Sequence, residues 1–396
     1  MKYRALLVLL ACAGTDGPRR AEPPAPPPGA PPTDVGAGLA AAPTLAPAAP
    51  AAPPAPAPVA PAPAAPPPAL LAPPPEVWLR GSTHVHARPS GDSSTPVVDV
   101  MRWYEAHGYD WIVLTDHNRV SEVHGATAGR PAAHAPAQGL IVFAGIELTY
   151  NPSKCLPKGD ASGRCRIHVN LLGSTARPPG KVSWGPGQRL PDTRLAKYQA
   201  ALDLQRGLGG LAQLNHPQWY WGMTGDLLAE LARRGMRLVE IANVQFEKWN
   251  KGDKDHPSTE ELWDAALAAG VTLWGVASDD AHHYDGGGKW PAGGGWVAVK
   301  ARRDPQAVLD ALAAGRFYAS TGVVLDRAEV VAGELVVEIG ASERLVHSIE
   351  FIENGKRIAA VVKERSARRA LPKVGYVRAV VTREDGKRAW VQPARL

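Results

Sequence analysis

The chain has 396 residues, 39 prolines and a formal charge of +6. That length predicts two to three domains. The basic excess is mild and forms no stripe with interleaved aromatics, so no nucleic-acid partner is expected.

At the start, Lys2 and Arg4 precede an apolar run from Ala5 to Ala11. The run is too short to span a bilayer and reads as a secretory signal. Leu9-Leu10-Ala11-Cys12 resembles a bacterial lipobox, which implies that residues 1–17 hold a lipoprotein signal peptide. It implies further that Cys12 is the lipidation site and the mature N-terminus. Ala13 behind it would favour an outer membrane facing the periplasm in a Gram-negative host. The alternative is a plain cleaved signal and a soluble periplasmic or secreted protein. Residues 18–75 are almost all Pro, Ala, Gly and other small residues. They lack the apolar bulk for a core and read as a disordered, semi-extended tether.

From Glu76 the composition turns globular. Trp78–Val85 reads as a strand, Thr95–His107 as a helix, and Trp111–Thr115 as an apolar strand running into Asp116-His117-Asn118. Strands follow at Gly139–Leu148, holding Glu147, and at Ile167–Leu172. Next come a helix at Asp192–Gly207, a strand at Gly210–Leu214 ending in Asn215-His216, and a helix at Asp226–Gly235. Arg237–Ala242 is a strand holding Glu240, and Ser258–Ala269 a helix with capping-box spacing at Ser258 and Glu261. Val271–Ala277 is a strand leading into Ser278-Asp279-Asp280-Ala281-His282. Gly295–Val299 and Pro305–Ala314 close the series as strand and helix.

Strand–helix alternation with near-continuous apolar strands predicts an α/β fold on a parallel sheet covered on both sides. About seven units fit a closed or distorted barrel better than a doubly wound sheet, and no glycine-rich nucleotide fingerprint follows the first strand. From Asp326 the pattern changes to short alternating runs with turn signals at Asn354-Gly355 and Asp385-Gly386. This predicts a small antiparallel β-domain over 326–396.

The chemistry gathers at strand ends. His84 and His86 are two apart, so on a strand they share a face. His117, Glu147, His168, His216, Asp280 and His282 stand at later strand ends, and Asp92 lies in the loop after the first strand. Six of the twelve histidines fall at these positions. In a parallel barrel those ends converge on one face. Nine nitrogen and oxygen donors suit zinc, manganese or iron, and more than four imply more than one ion. Trp219, Tyr220 and Trp221 follow His216 directly and are candidates for walls of a substrate cleft. Asn243 and Gln245 are weaker ones. His107, His124, His134, His256 and His347 fall on predicted helices or loops and read as solvated. Cys155 and Cys165 stand in a Pro/Gly/Lys loop. In an exported chain a disulfide between them is expected, with free thiols as the alternative.

H-x-H, then T-D-H-N, an isolated Glu, single later histidines and a closing D-x-H together resemble the polymerase and histidinol phosphatase (PHP) family, in its carbaryl-hydrolase-like branch. Gly315-Arg316-Phe317-Tyr318-Ala319-Ser320-Thr321-Gly322 resembles the stretch that ends the catalytic domain there. The resemblance covers about 76–325. It implies a distorted (β/α)7 barrel with two or three divalent metal ions (Zn, Mn or Fe). It would place His84, His86 and Asp280 on a first ion, with Glu147 bridging to a second held by His168 and His216. Asp92, His117 and His282 would hold a third, although a histidine often stands where Asp92 does. Asp116 reads as a supporting residue. Asp279, beside Asp280, and Arg316, able to stabilise developing charge, are the catalytic candidates.

The expected function is an exported metal-dependent phosphoesterase that delivers a metal-bridged hydroxide to a small-molecule phosphoester. A carbonyl-ester, carbamate or amide substrate on the same site is the alternative. A non-catalytic surface binding protein with structural metals is another. No nucleophile elbow stands in the chain, and the oligomeric state stays open.

Overall fold

A computed structural model describes residues 74–121, 132–134, 139–185, 189–286 and 291–396. The expected signal peptide with Cys12, nearly all of the 18–75 tether, and His124 lie outside the described residues.

The elements run β1 (Val77–Val85), α1 (Val97–Ala106), β2 (Trp111–Leu114), β3 (Ala132–His134), β4 (Ile141–Tyr150) and β5 (Ile167–Leu172). Then come α2 (Arg194–Leu208), β6 (Leu211–Leu214), α3 (Gly225–Arg233), β7 (Leu238–Asn243), α4 (Glu247–Asn250), α5 (Thr259–Ala268) and β8 (Trp274–Ser278). β9 (Trp296–Ala301), α6 (Pro305–Ala313) and β10 (Phe317–Ser320) lead into β11 (Leu325–Val331), β12 (Glu334–Ile339) and β13 (His347–Glu353). β14 (Lys356–Val362), β15 (Ser366–Ala370), β16 (Val377–Arg383) and β17 (Arg388–Ala394) complete the order.

The fold is mixed α/β. One large sheet has the order β14-β13-β16-β17-β10-β9-β1-β2-β4-β5-β6-β7-β8, and β11-β12-β15 form a small separate antiparallel sheet. β1, β2 and β4 pair in parallel, as do β6, β7 and β8. Their apolar runs bury both faces. In β2, Trp111 and Val113 join one core cluster, while Ile112 and Leu114 join the other. Side chains alternate across a strand, so a strand with no polar face is a strand covered on both sides. Gly81 permits the closest of these approaches. A Cβ there would lie 2.0 Å from the Trp111 ring, so β1 and β2 could not pack with any larger residue. The helices that cover the sheet carry their caps in sequence. Thr193 caps α2, Thr224 caps α3, Asp304 caps α6, and Ser258 with Glu261 forms a complete capping box on α5.

Three expectations need correction. The sheet is not parallel throughout: β5 runs antiparallel to both β4 and β6. No helix crosses over between β4 and β5. The chain returns through a loop closed by the Cys155–Cys165 disulfide, and without a crossover a neighbouring strand comes back antiparallel. The strands beyond Asp326 are likewise not a sheet apart. β17 pairs antiparallel with β10, so β13, β14, β16 and β17 extend the main sheet, and only β11, β12 and β15 stand off it. His347, expected in solvent, is buried on β13, 3.3 Å from the Glu343 carboxylate. The alternating period there reads as a half-buried strand, but the partner in the preceding turn leaves no trace in it. Among the described residues, no helix is long and apolar enough to cross a membrane.

Candidate metal centre

The parallel strands bring their C-terminal ends to one place. His84 lies near the end of β1 and His86 just beyond it. His117 follows β2, Glu147 stands within β4, His216 follows β6, and Asp280 and His282 follow β8. His168 arrives from the other direction. It is the second residue of antiparallel β5 and registers against Thr149, two residues past Glu147. The reversed strand therefore delivers its beginning to the end where its neighbours deliver their ends. The backbone is bent into positive φ at several of these turns: 25° at His216, 49° at Asp280 and 53° at Asn118. Such conformations cost energy and persist where surrounding structure enforces them.

Three donor groups result. One comprises His84, His86 and Glu147, a second Glu147, His168 and His216, and a third His86, Asp92, His117 and His282. Glu147 belongs to two of them. His86 also belongs to two, whereas the family resemblance gave it to one ion only. Asp280 places Oδ1 3.2 Å from Nε2 of both His84 and His86. His117 Nδ1 lies 2.6 Å from Glu147 Oε2, and His117 Nε2 lies 2.9 Å from Asp92 Oδ2.

Three of the six rings are held from behind. Nδ1 of His84 bonds Glu240 at 2.7 Å, Nδ1 of His86 bonds Ser90 Oγ at 2.9 Å, and Nδ1 of His282 bonds the Asp280 carbonyl at 2.7 Å. Each such bond turns Nε2 inward, the usual way a protein orients a metal-binding imidazole. Nε2 of His84 and His86 and Nδ1 of His216 are buried without a hydrogen-bond partner. Unpartnered buried nitrogens are costly in a folded protein. They fit a divalent cation with nitrogen and oxygen ligands, and both thiols of the neighbouring loop are tied up in the disulfide. His168 is different, because its two nitrogens already contact Glu147 at 2.9 Å and Asn151 at 2.8 Å, so ligation would exchange one contact.

The electrostatics follow from this crowding. Burial opposes charge on His84, but Asp280, Glu240 and Glu147 outweigh it and raise its pKa well above the usual value. Burial likewise opposes charge on His117, yet Glu147 and Asp92 push it up to about 10. Burial, with His282 beside it, lowers His86 to about 3, and burial lowers His168 to about 4 against the pull of Glu147. Glu147 and Asp280, although buried, are held well below the carboxylate range by the surrounding imidazoles. The centre is thus a set of carboxylate anions and imidazoles sharing too little positive charge.

A cavity of about 180 Å³ opens onto these groups, lined also by Trp219, Gln245 and Phe246. A wider groove of about 910 Å³ shares Asp92, His117 and Asn151 with it and runs out to Lys181 and Trp184.

The two catalytic candidates do not reach this cavity. Asp279 points to the opposite side from Asp280, as successive residues do at a strand end. Its carboxylate accepts from Ser82 Oγ at 3.0 Å, Tyr104 at 3.3 Å and the Gly293 amide at 2.6 Å. Burial raises its pKa to about 6. Arg316 precedes β10 and pairs with Glu76 at 2.7 Å, beside the start of β1 and so at the other end of the strand from His84. Asp116 accepts from the Ala87 amide and from Ser121, and so serves the turn rather than the cavity. Of the aromatics after His216, Trp219 walls the cavity, while Trp221 stacks on His256 at 4.3 Å. Asn243 is buried and bonds both Glu240 and Asp280.

Sequence reasoning passed over Glu240. It is fully buried and also accepts from the His216 amide at 2.6 Å and from Ser278 at 2.6 Å. A lone carboxylate inside the apolar strand Leu238-Val239-Glu240-Ile241 was the signal. Ser90, Thr149 and Asn151 carry no comparable signal, being ordinary polar residues of loops and strand ends.

No protein-family model matches the chain, and a search of curated proteins finds no matching relative.

Proposed function

We propose that this protein is an exported metal-dependent hydrolase acting on a phosphoester, built on a distorted β/α barrel of the PHP type. The observation that carries this reading is the overlap of three donor groups through Glu147 and His86, with the inward nitrogens of His84 and His86 buried and without a hydrogen bond. Two or three divalent ions held there would polarise a phosphoryl oxygen and lower the pKa of water.

The residues divide the remaining work. His84, His86, Asp280 and Glu147 would hold one ion, and His168, His216 and Glu147 a second. Asp92, His117 and His282, with His86, would hold a third at the edge where the wide groove arrives. Glu240 fixes the orientation of His84. Trp219 and Phe246 screen one side of the cavity from water. The barrel reading draws support from the return of the chain just past β8 to the end of β1, where the His86 amide donates to the Ala281 carbonyl at 3.0 Å. Export, with a lipid anchor at Cys12, is part of the same proposal, and the Cys155–Cys165 disulfide suits an oxidising compartment.

The test is protein purified with Mn or Zn, analysed for metal by mass spectrometry and offered aryl phosphomonoesters and phosphodiesters. At least two ions per chain and metal-dependent turnover are expected, both reduced in His84→Ala. Bound metal with no phosphoester turnover would sink the reading, and turnover of aryl carbamates or esters alone would replace it with the carbonyl alternative.

A further inference from the structure

With Arg316 far from the cavity, the cation nearest in the sequence to a metal-site histidine on β5 is Arg166, two residues before His168. It is half-buried. Its guanidinium carbon lies 4.8 Å from the ring centre of Trp219 and 4.7 Å from that of Tyr220, and those rings stack at 5.8 Å and 15°. Trp219 in turn sets its ring against His168 at 5.7 Å and His216 at 5.2 Å. One indole therefore separates the guanidinium from the metal-binding imidazoles.

The stack is built in advance. Tyr220 holds φ of 62° and Trp221 of 57°. Gly159, inside the disulfide loop, packs so close that a Cβ there would lie 2.1 Å from the Tyr220 carbonyl oxygen. The disulfide loop thus braces the aromatic loop from behind.

The guanidinium is poorly satisfied for its burial. Nη1 donates to the Cys165 carbonyl at 3.0 Å, while Nε is buried with no partner. Among the described residues no carboxylate lies within ion-pair distance of it. Stacking on aromatic faces leaves the in-plane N–H fork of an arginine free, and that fork matches a carboxylate or phosphate.

We propose that Arg166 is a specificity-determining residue that binds a second anionic group of the substrate just beyond Trp219, the indole that walls the cavity. This inference rests on the hydrolase reading and narrows it. The substrate class is a phosphoester whose leaving group carries a carboxylate or another phosphate about one aromatic ring away from the reacting phosphorus.

The test compares phenylphosphonate with 4-carboxyphenylphosphonate for binding to the metal-loaded protein by calorimetry. It also compares phenyl phosphate with 4-carboxyphenyl phosphate for kcat/KM. The carboxylated member of each pair is expected to be favoured about tenfold, the scale of one charge-assisted contact. Arg166→Gln should bring the ratio to about one. Arg166→Lys, which keeps the charge but loses the fork, should lower it several-fold and carries the test if the glutamine variant does not fold. Equal binding of the two phosphonates by the wild type, or a preference surviving in Arg166→Gln, would overturn the inference. Turnover of both phosphates with equal efficiency would remove the anion site and leave the hydrolase. Preferential binding of the carboxylated phosphonate without turnover of either phosphate would do the reverse.

Discussion

Two of the places where the molecule buries charge differ in how that charge is completed. Where α5 meets β16, Arg378 is 2% exposed and sends Nε and Nη2 to the two oxygens of Asp264 at 2.7 and 2.6 Å. Tyr376 donates to the same carboxylate at 2.7 Å, Glu260 lies 3.4 Å from Nη1, and the guanidinium rests on the Trp263 ring. Every strong donor there has an acceptor supplied by the chain. At the strand ends, Glu147, Asp280, Asp92 and Glu240 face imidazoles, and the inward nitrogens of His84 and His86 lie 3.2 Å from Asp280 without a hydrogen bond to it. Desolvating ions costs several kcal/mol each unless partners compensate. The first region meets that cost within the fold. The second leaves its inward nitrogens short of a hydrogen bond, an arrangement that a cation from outside would complete.

The sharpest way to break this contrast is to remove the shared ligand. Glu147→Gln keeps the shape and deletes the charge that two donor groups have in common. It should lose at least one ion per chain by mass spectrometry and about a thousandfold in kcat/KM, because several kcat/KM decades rest on metal-borne charge stabilisation. Wild-type metal content with full turnover would mean that Glu147 is only a structural carboxylate. The matching change in the complete region is Arg378→Ala. It strands Asp264 and should cost about 3–5 kcal/mol in denaturant unfolding while leaving metal content intact. A chelator should lower the melting temperature of wild type and of this variant by similar amounts. A much smaller shift in the variant would show that the two regions are coupled.

The same contrast explains what could be read from the sequence. Metal ligands announce themselves, since histidine is rare and its placement at strand ends is periodic. His84, His86, His117, Glu147, His168, His216, Asp280 and His282 are therefore legible one strand at a time as candidates, with Asp92 in the loop after the first strand, and the structure brings them together. The strands themselves were legible because both faces of β2 and β4 are apolar. Direction was not. Ile167–Leu172 reads the same parallel or antiparallel, and only the missing crossover helix before it decides. The Arg378 cluster was invisible as well, because arginine on an alternating strand reads as its solvent face until the helix that covers it is known. Asp279 and Arg316 were misplaced for a related reason. Motif proximity does not say which way a side chain turns, and one residue of offset reverses it.

Between ligand and scaffold stands Glu240, which touches no proposed ion but fixes His84. Glu240→Gln keeps the side chain's shape, but its single carbonyl oxygen can accept from Ser278 or from the His216 amide and not both, so a modest loss of stability should accompany it. Metal affinity should fall about 10- to 100-fold, the usual effect of disturbing the partner of a ligating histidine. Titration of the metal-free protein with Zn or Mn measures this directly. An unchanged affinity would mean that packing alone orients His84.

The smallest effect is expected at Arg316. Its pair with Glu76 spans two side chains that are 44% and 45% exposed. An exposed pair of this kind contributes about 0.2–1 kcal/mol. Arg316→Ala should therefore shift stability by no more than that and leave kcat/KM within about twofold, as expected for a surface change away from the site. The motif around it argues for a catalytic arginine, whereas the fold sets it at the far end of β1 from His84. A tenfold fall in kcat/KM with stability preserved would mean that the guanidinium swings to the metal end during turnover. The contrast drawn above would then have to include a group that the resting fold keeps out of the cavity.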